Sequence, residues 1–587
     1  MLTGNQYPSG ESLLSLLRQH WRYTSFRPQQ EEIIKSVLEG KDTLALLPTG
    51  GGKSLCFQVP TLARPGLCLV VSPLIALMKD QTDSLRRKNI TAFFLHTGMN
   101  RRELVNTLKT AADSNCKFLY VSPERLETEL FNSWLPSLDV RLIAVDEAHC
   151  VSQWGYDFRP SYLRIAALRA ALPGVPLLAL TASATQRVMT DIADRLELKE
   201  PAVFRQPFTR SNLSYSFFRE DNKIRKITEI LEKVPGSGIV YCKTRRSTRE
   251  ISDWLTRQGI PAAAYHAGLS REEREQRQED WLNDRIRIIV STNAFGMGID
   301  KSAVRTVIHA HVPESIESYY QESGRAGRDG QKAYAVLLAT ADDTGRLDSL
   351  PGIRFPPLAT IREVYQHLMN YLQLPSGAGE GQYYDFDLTD FCRRFECEVS
   401  AVTDILRLLE QEGLLSFQQQ VSMPARVQFI TAKEALYDFE AEHPGLQPLI
   451  HGLLRSYEGI FDQPVFIRER QLAYATRKEP RQLAADLAQL AAFRIIEYDP
   501  PKEMPQLYFF RDRAPAEELY IDPVRYRERK EVYSDRIRAM IRYLRLTDEC
   551  RTRYLAGYFG DLAAGDCGVC DNCLNRSRAN GPRPRHP

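Results

Sequence analysis

Two short runs of residues carry the chemistry this chain is best equipped to do. The first, LLPTGGGKS from Leu46 to Ser54, leaves an apolar stretch and turns through Gly50, Gly51 and Gly52 into Lys53 and Ser54. Glycines let backbone N–H groups close around phosphate oxygens, a lysine adds a point charge, and a serine hydroxyl can ligate Mg²⁺. Leu47 stands where the full phosphate-loop pattern carries its first glycine. The second run, Asp146-Glu147-Ala148-His149, directly follows the apolar LIAV. Adjacent side chains leaving a strand point in different directions. Asp146 is therefore placed to hold Mg²⁺ while Glu147 faces an attacking water as general base. The pair predicts hydrolysis of a nucleoside triphosphate. His149 has no hydrolytic task and is expected to link the site to the next segment.

A third reactive group lies far along the chain. Cys550 is followed, after sixteen intervening residues, by Cys567, Cys570 and Cys573. Four thiolates suit tetrahedral Zn²⁺, and each CxxC step lets two sulfurs converge on one ion. With every position filled by protein, the metal is expected to be structural. A redox reading lacks the βαβ context it needs, and disulfides do not suit an intracellular chain. The other seven of the eleven cysteines are scattered, and Cys392 and Cys397 read as ordinary packed residues.

These residues need elements to hold them. Up to residue 340, helical text alternates with short apolar runs: Thr43–Leu47, Cys68–Ser72, Lys117–Val121, Leu142–Val145, Leu177–Leu180, Ile239–Tyr241, Ile286–Ser291 and Val304–His309. That rhythm predicts parallel α/β sheets, whose ligands sit at the carboxyl ends of strands. The break between two lobes is expected near Phe204–Leu213. Beyond residue 340 the texture changes. Ser376–Gln382 reads as a flexible loop, and Leu388–Phe395 and Ser400–Gln411 as two helices. Val402, Ile405, Leu406 and Leu409 share one face of the second, with Ser400 as N-cap and Gly413 as the stop. A strand at Leu414–Phe417 completes the outline of a winged helix-turn-helix, although a packing or dimerisation domain fits the same pattern. A weaker echo occurs at Leu483, Leu487 and Leu490, followed by Phe493–Tyr498. The segment LNRSRANGPRPRHP is polar and is expected to be disordered.

The bulk numbers bound the rest. A chain of 587 residues is too long for one core and predicts about three to five domains. Hydrophobic content of 43% and charged content of 26% fit a stable globular body. The net charge of +3 averages over basic and acidic faces and decides nothing about a polyanionic partner. The opening MLTGNQYPSG lacks a secretory pattern, and no apolar stretch approaches the roughly 20 residues that span a bilayer. A cytoplasmic protein is expected, nucleoid-associated if bacterial.

Read together, the two motifs resemble those of superfamily 2 helicases, and the detail is similar to the RecQ family. The ordered set includes FRPQQ (Phe26–Gln30), VVSPLIALMKDQ (Val70–Gln81), YVSPERL (Tyr120–Leu126), LTASAT (Leu180–Thr185), IVYCKTRR (Ile239–Arg246), STNAFGMGIDK (Ser291–Lys301) and YYQESGRAGRDG (Tyr319–Gly330). The resemblance covers roughly residues 10–340 densely, with the cysteine group CGVCDNC as a separate island. It implies that Arg27 and Gln30 contact adenine and that Tyr23 stacks on it. Gly50, Gly51, Gly52, Lys53, Ser54 and Asp146 complete the nucleotide site. GRAGR, with Arg325 and Arg328 both facing phosphate, becomes the arginine-finger motif, in which one second-lobe arginine, either of the two, would stabilise charge on the γ-phosphate. Pairing with acidic neighbours is the plainer alternative for both. CVSQWGYDFRPSYL (Cys150–Leu163) resembles the family's DNA-sensing loop. There Trp154 and Phe158 would stack on bases beside Arg159; the plainer alternative makes Trp154 and Tyr162 core aromatics.

The resemblance thus implies an α/β protein with two tandem RecA-like parallel-sheet lobes, then a winged-helix-like α+β region and a small zinc-binding module. The expected spans are 1–207 and 208–341 for the lobes, 342–530 for the winged-helix-like region, 531–575 for the zinc module and 576–587 for a disordered tail. The implied activity is ATP-dependent DNA unwinding, 3′ to 5′, in repair or recombination, with ATP, Mg²⁺ and Zn²⁺. The implied partners are DNA with single-stranded regions and single-stranded-DNA-binding or repair proteins. RNA unwinding, translocation without unwinding, and an ATP-gated DNA scaffold are the competing readings. In one respect the chain departs from the family: about two hundred residues separate the lobes from the zinc island.

Overall fold

The computed structural model describes residues 10–48, 50–96, 99, 101–155, 157–293, 295, 301–418, 425–457, 459–462, 464–467, 469–500 and 505–580. The apolar runs form strands, and most of them are buried along their whole length, as parallel strands covered on both faces must be. The first lobe holds β1 (Thr43–Leu46), β2 (Leu67–Val71), β3 (Ala92–Leu95), β4 (Phe118–Val121), β5 (Val140–Val145), β6 (Leu177–Thr181) and β7 (Ala202–Arg205). They lie parallel in the order β3-β4-β2-β5-β6-β1-β7. β1 and β5, which end at the two motifs, flank β6. This brings the turns after β1 and β5 to one end of the sheet, on either side of the LTASAT turn after β6.

The second lobe holds β8 (Leu213–Arg219), β9 (Ser237–Tyr241), β10 (Ala262–Tyr265), β11 (Ile288–Ser291), β12 (Val304–His309) and β13 (Ala333–Ala339). These run parallel in the order β10-β11-β9-β12-β13-β8. After β12 the helix Ile316–Ser323 starts at Ser315, whose hydroxyl accepts from the Ser318 N–H at 3.2 Å. A cap of this kind stabilises a helix by about 1 kcal/mol. It fixes the element that leads straight into Arg325 and Arg328.

The chain then divides into two compact units, one of residues to Pro351 together with Val524 onward, the other Gly352–Pro523. The first unit therefore includes the cysteine module. The expected boundary at 530–531 falls inside the helix Pro523–Leu544, which from Val524 onward belongs with the lobes. β8 stands at the edge of its sheet, and the cysteine module covers it. Asp571 accepts from the Phe217 N–H at 2.8 Å, and the Ser214 hydroxyl donates to the Val569 carbonyl at 2.7 Å. Phe559 stacks on Phe208 with ring centroids 4.6 Å apart. The segment 576–580, expected to be disordered, continues the helix Asp571–Asn580, and Arg576 pairs with Asp566. Residues 581–587 of the expected tail lie outside the described residues.

The second unit nests one module inside another. Helices Leu388–Arg394 and Val399–Gln411 precede β15 (Leu415–Gln418), which pairs with β19 (Gln506–Phe509); that strand also pairs with β14 (Tyr383–Asp385). Ser400 is not the N-cap. The helix begins one residue earlier, after Glu398, whose carboxylate accepts from the Ser400 hydroxyl at 2.5 Å. Gly413 does end it, at φ +70°. Between β15 and β19 lies the echo, with its own antiparallel sheet of β16 (Arg426–Phe429), β17 (Val465–Phe466) and β18 (Ile496–Asp499). Its helices Glu469–Thr476 and Pro480–Ala492 reproduce the short-then-long pattern. Leu483, Leu487 and Leu490 are completely buried in its core. No helix among the described residues is long and apolar enough to cross a membrane.

Candidate functional site

One cleft of about 620 Å³ collects most of the residues singled out in the sequence. It is lined by Tyr23, Arg27, Gln30, Gly50, Gly52, Lys53, Ser54, Asp146 and Glu147 from the first lobe and by Arg325 and Arg328 from the second. Gly50 and Gly52 hold φ of +84° and +78°, which lets the loop fold back toward the Ser54 helix at little steric cost. Gln30 braces that loop: its side-chain amide donates to the Gly51 and Gly52 carbonyls at 3.1 Å each, while its oxygen accepts from the Arg27 N–H at 2.9 Å. Arg27 itself donates to the Gly50 carbonyl. Tyr23 stands at the rim, half exposed. A cavity of this size suits a nucleotide-sized ligand.

The turn after β5 is the charged floor. Glu147 adopts φ +48°, ψ +46°, a left-handed conformation that costs a side-chain-bearing residue about 1–3 kcal/mol and clusters at functional sites. It swings the carboxylate toward Lys53, with Nζ 3.5 Å from Oε1. The Asp146 carboxylate meanwhile accepts from the Glu147 N–H at 3.0 Å. Burial, then the neighbouring Glu147, pushes the Asp146 carboxyl up to about 6. Burial also acts against the Glu147 charge, but Lys53, His149 and Arg325 outweigh it and hold that carboxyl below its usual range. A buried acid raised by its surroundings gains from a divalent cation, so Asp146 with Ser54 fits Mg²⁺. His149 Nδ1 lies 2.9 Å from the Thr181 hydroxyl in LTASAT and 3.4 Å from Glu147. The segment it reaches is thus the carboxyl end of β6.

Of the two second-lobe arginines, Arg328 meets the phosphate loop directly. A Cβ on Gly50 would lie 3.1 Å from Arg328 Cγ, so the arginine's stem rests on that glycine. Arg325 is buried, and its charge bears on both Glu147 and Tyr241.

The loop after the acidic turn is closed at its base by the Arg159 N–H donating to the Cys150 carbonyl at 2.9 Å. Tyr162 is fully buried, and its hydroxyl donates to the Asp146 carbonyl at 3.0 Å, so the plainer core reading holds for it. Trp154 and Phe158 are part-exposed. The cation on Trp154 is not Arg159. Arg187 sits 4.0 Å over the indole, while Arg159 is drawn away to Asp157 (3.2 Å) and the Pro73 carbonyl (3.1 Å). Spacing alone gave no signal for Arg187, which reaches the loop from the helix after LTASAT. Tyr156 and most of STNAFGMGIDK (294 and 296–300) lie outside the described residues.

Cys550, Cys567, Cys570 and Cys573 converge, with all four sulfurs within 4.8 Å of one another. Backbone N–H groups of Arg553, Cys567, Cys570 and Cys573 point at three of these sulfurs from 3.3–3.5 Å. Donors aimed at sulfur favour thiolates, and four thiolates this close need a shared cation. The set fits structural zinc. Cys392 is buried and Cys397 is part-exposed.

Comparison with known proteins finds four family models along the chain. They describe a DEAD/DEAH box helicase (27–192), a helicase conserved C-terminal domain (222–330), a RecQ helicase winged-helix domain of Bacteroidota (427–500) and RecQ zinc binding (510–574). The winged-helix model falls on the nested echo, which the sequence reading ranked below the Leu388–Phe417 candidate. The chain is 42% identical over 355 residues to the ATP-dependent DNA helicase RecQ of Haemophilus influenzae, covering 60% of this chain and 57% of that one. It is 43% identical over 332 residues to RecQ of Bacillus subtilis, covering 56% of each. Identity is 40% over 339 residues to the "Probable ATP-dependent DNA helicase RecS" of the same species, covering 56% of this chain and 67% of the relative. The chain thus spans a little over half the length of the two RecQ relatives.

Proposed function

The chain belongs to the RecQ family of helicases, and from that premise we propose that it couples ATP hydrolysis to 3′–5′ movement on single-stranded DNA and to duplex unwinding in repair or recombination. The observation that carries the proposal is the shared cleft: Lys53, Asp146 and Glu147 come from one lobe, Arg325 and Arg328 from the other. A γ-phosphate held between them makes lobe closure depend on ATP.

In this reading Gly50, Gly51, Gly52 and Lys53 cradle the phosphates, and Ser54 and Asp146 hold the metal. Mg²⁺, when bound, neutralises phosphate charge. Glu147 accepts a proton from the attacking water, and Lys53 and Arg325 hold its carboxylate in the ionised form a base requires. Arg325 and Arg328 both meet transition-state charge. Tyr23, Arg27 and Gln30 receive adenine. For Arg27 and Gln30 this means exchanging their bonds to the glycine carbonyls, so that nucleotide binding frees the loop to reshape. Trp154 and Phe158 stack on bases, with Arg159 holding the loop's base. The four cysteines keep structural Zn²⁺. DNA with single-stranded regions is the substrate, and single-stranded-DNA-binding or repair proteins are its candidate partners. The working place is the cytoplasm, on the nucleoid if the host is bacterial.

The test is ATP-dependent strand displacement on matched 3′-tailed, 5′-tailed and blunt duplexes, with Glu147→Gln as the control. Displacement confined to the 3′-tailed duplex is expected, lost in the variant by about 10²-fold or more. Hydrolysis without displacement would leave a translocase, and stimulation by RNA alone would move the substrate to RNA.

A further inference from the structure

One arginine outside every motif touches both lobes at once. Arg536, on the helix Pro523–Leu544, donates through Nη2 to the Trp154 carbonyl in the first lobe's aromatic loop. Its Nε lies 3.3 Å from Glu317 Oε1 in the second lobe. Glu317 is buried and Arg536 is largely covered, at 4% and 13% exposed, so the pair is partly shielded from water and salt. The same Glu317 oxygen accepts from the Tyr558 hydroxyl at 2.9 Å, and Tyr533 reaches Glu314 at 2.9 Å. The cysteine module is thereby fixed to the start of the helix Ile316–Ser323.

What lies downstream of each contact gives the junction its meaning. In the first lobe, Trp154 stands eight residues after Asp146 in a loop whose Tyr162 bonds the Asp146 carbonyl. In the second, Glu317 stands on the helix Ile316–Ser323, which ends two residues before Arg325. A base that stacks on Trp154 competes with Arg187 for the ring. Loop movement that admits the base strains or breaks the bond from Arg536 to the Trp154 carbonyl.

We propose that Arg536 is a positioning residue, a latch that ties the aromatic loop to the arginine-finger helix and restrains turnover until single-stranded DNA pulls the loop away. This rests on the helicase reading above. A guanidinium suits the task because its planar fork serves two acceptors at once, which a lysine's point charge does poorly.

The experiment compares the full zinc-loaded chain with Arg536→Gln and Arg536→Lys. It measures ATPase with and without oligo(dT), melting temperature, and hydrogen exchange of peptides covering Cys150–Arg159. In Arg536→Gln, DNA-independent turnover should rise about tenfold, within the usual range of coupling between sites. DNA-stimulated turnover should stay within about twofold, and the loop should exchange faster. Arg536→Lys should recover the melting temperature by keeping a charge beside Glu317, yet retain the raised DNA-independent rate. The latch is refuted if folded Arg536→Gln shows unchanged DNA-independent turnover and loop exchange. It is equally refuted if both rates fall together, or if Arg536→Lys recovers stability and restraint in step. A wild-type ATPase indifferent to DNA would sink the helicase reading instead, while loop exchange would still report whether Arg536 holds the loop.

Discussion

Gly52 shows how little freedom the phosphate loop has. Its φ of +78° is costly for any side chain, and an added Cβ would lie 2.3 Å from the Gln30 amide. Gly52→Ala should destabilise the protein by about 1–2 kcal/mol through the backbone alone, and raise the KM for ATP as the loop is pushed from Gln30. Adding Gln30→Ala removes the clash and leaves the backbone strain. Partial recovery of KM without recovery of stability, read by ATPase and thermal melts, is the expected result; full recovery of both would mean that the backbone conformation is unimportant. At this scale the sequence was informative about which residues meet. Gly50, Gly52, Lys53, Asp146 and Glu147 share one cleft because their turns follow strands whose order brings those ends together, and both arginines reach it from the turn after the helix Ile316–Ser323. It was uninformative about side-chain partners. Nothing in CVSQWGYDFRPSYL says that Arg159 turns away to Pro73 while Arg187, on another element, takes the Trp154 ring. Such pairings depend on tertiary approach and leave no periodic trace.

Among the elements, the strand β8 depends most on something distant. Asp571 binds three partners: the Phe217 N–H at 2.8 Å, the Asn572 N–H at 2.7 Å and Arg551 Nε at 2.6 Å. Arg551 is buried, and a buried cation that loses its carboxylate is destabilising. Asp571→Ala should therefore cost about 3 kcal/mol in denaturant unfolding, with zinc content still near one per chain. Loss of zinc in step with stability would mean that Asp571 serves the metal site and not the strand. Strand and helix positions were largely legible, since their apolar periodicity is local. The helix start at Val399 was misread because Ser400 is a good N-cap type, yet Glu398 holds its hydroxyl. The helical run to Asn580 was hidden by polar, proline-containing text just beyond it.

For the whole molecule, the division into two units explains the departure from the family's order. The residues between the lobes and the cysteine module form a unit with its own buried core, from Val427 and Phe429 to Leu483, Leu487 and Ile496. Gly352–Pro523 expressed alone should fold with a single cooperative transition. A broad, non-cooperative melt would show that it depends on the lobes. The nesting itself was not readable beforehand. Local pattern revealed two similar helix pairs, but that one sits between the paired strands β15 and β19 of the other is a fact of long-range pairing alone.

The covering of β8 has a consequence for biosynthesis. That strand is complete by Arg219, and its sheet by Ala339, but Asp571 leaves the ribosome more than two hundred residues later. At about 5–20 residues per second the uncovered edge waits roughly 10–50 s. For that interval the nascent chain carries an open strand edge of the kind that recruits other chains. Slow translation, or release of a chain cut short within the second unit, should therefore feed aggregation more than the stability of the finished fold would suggest.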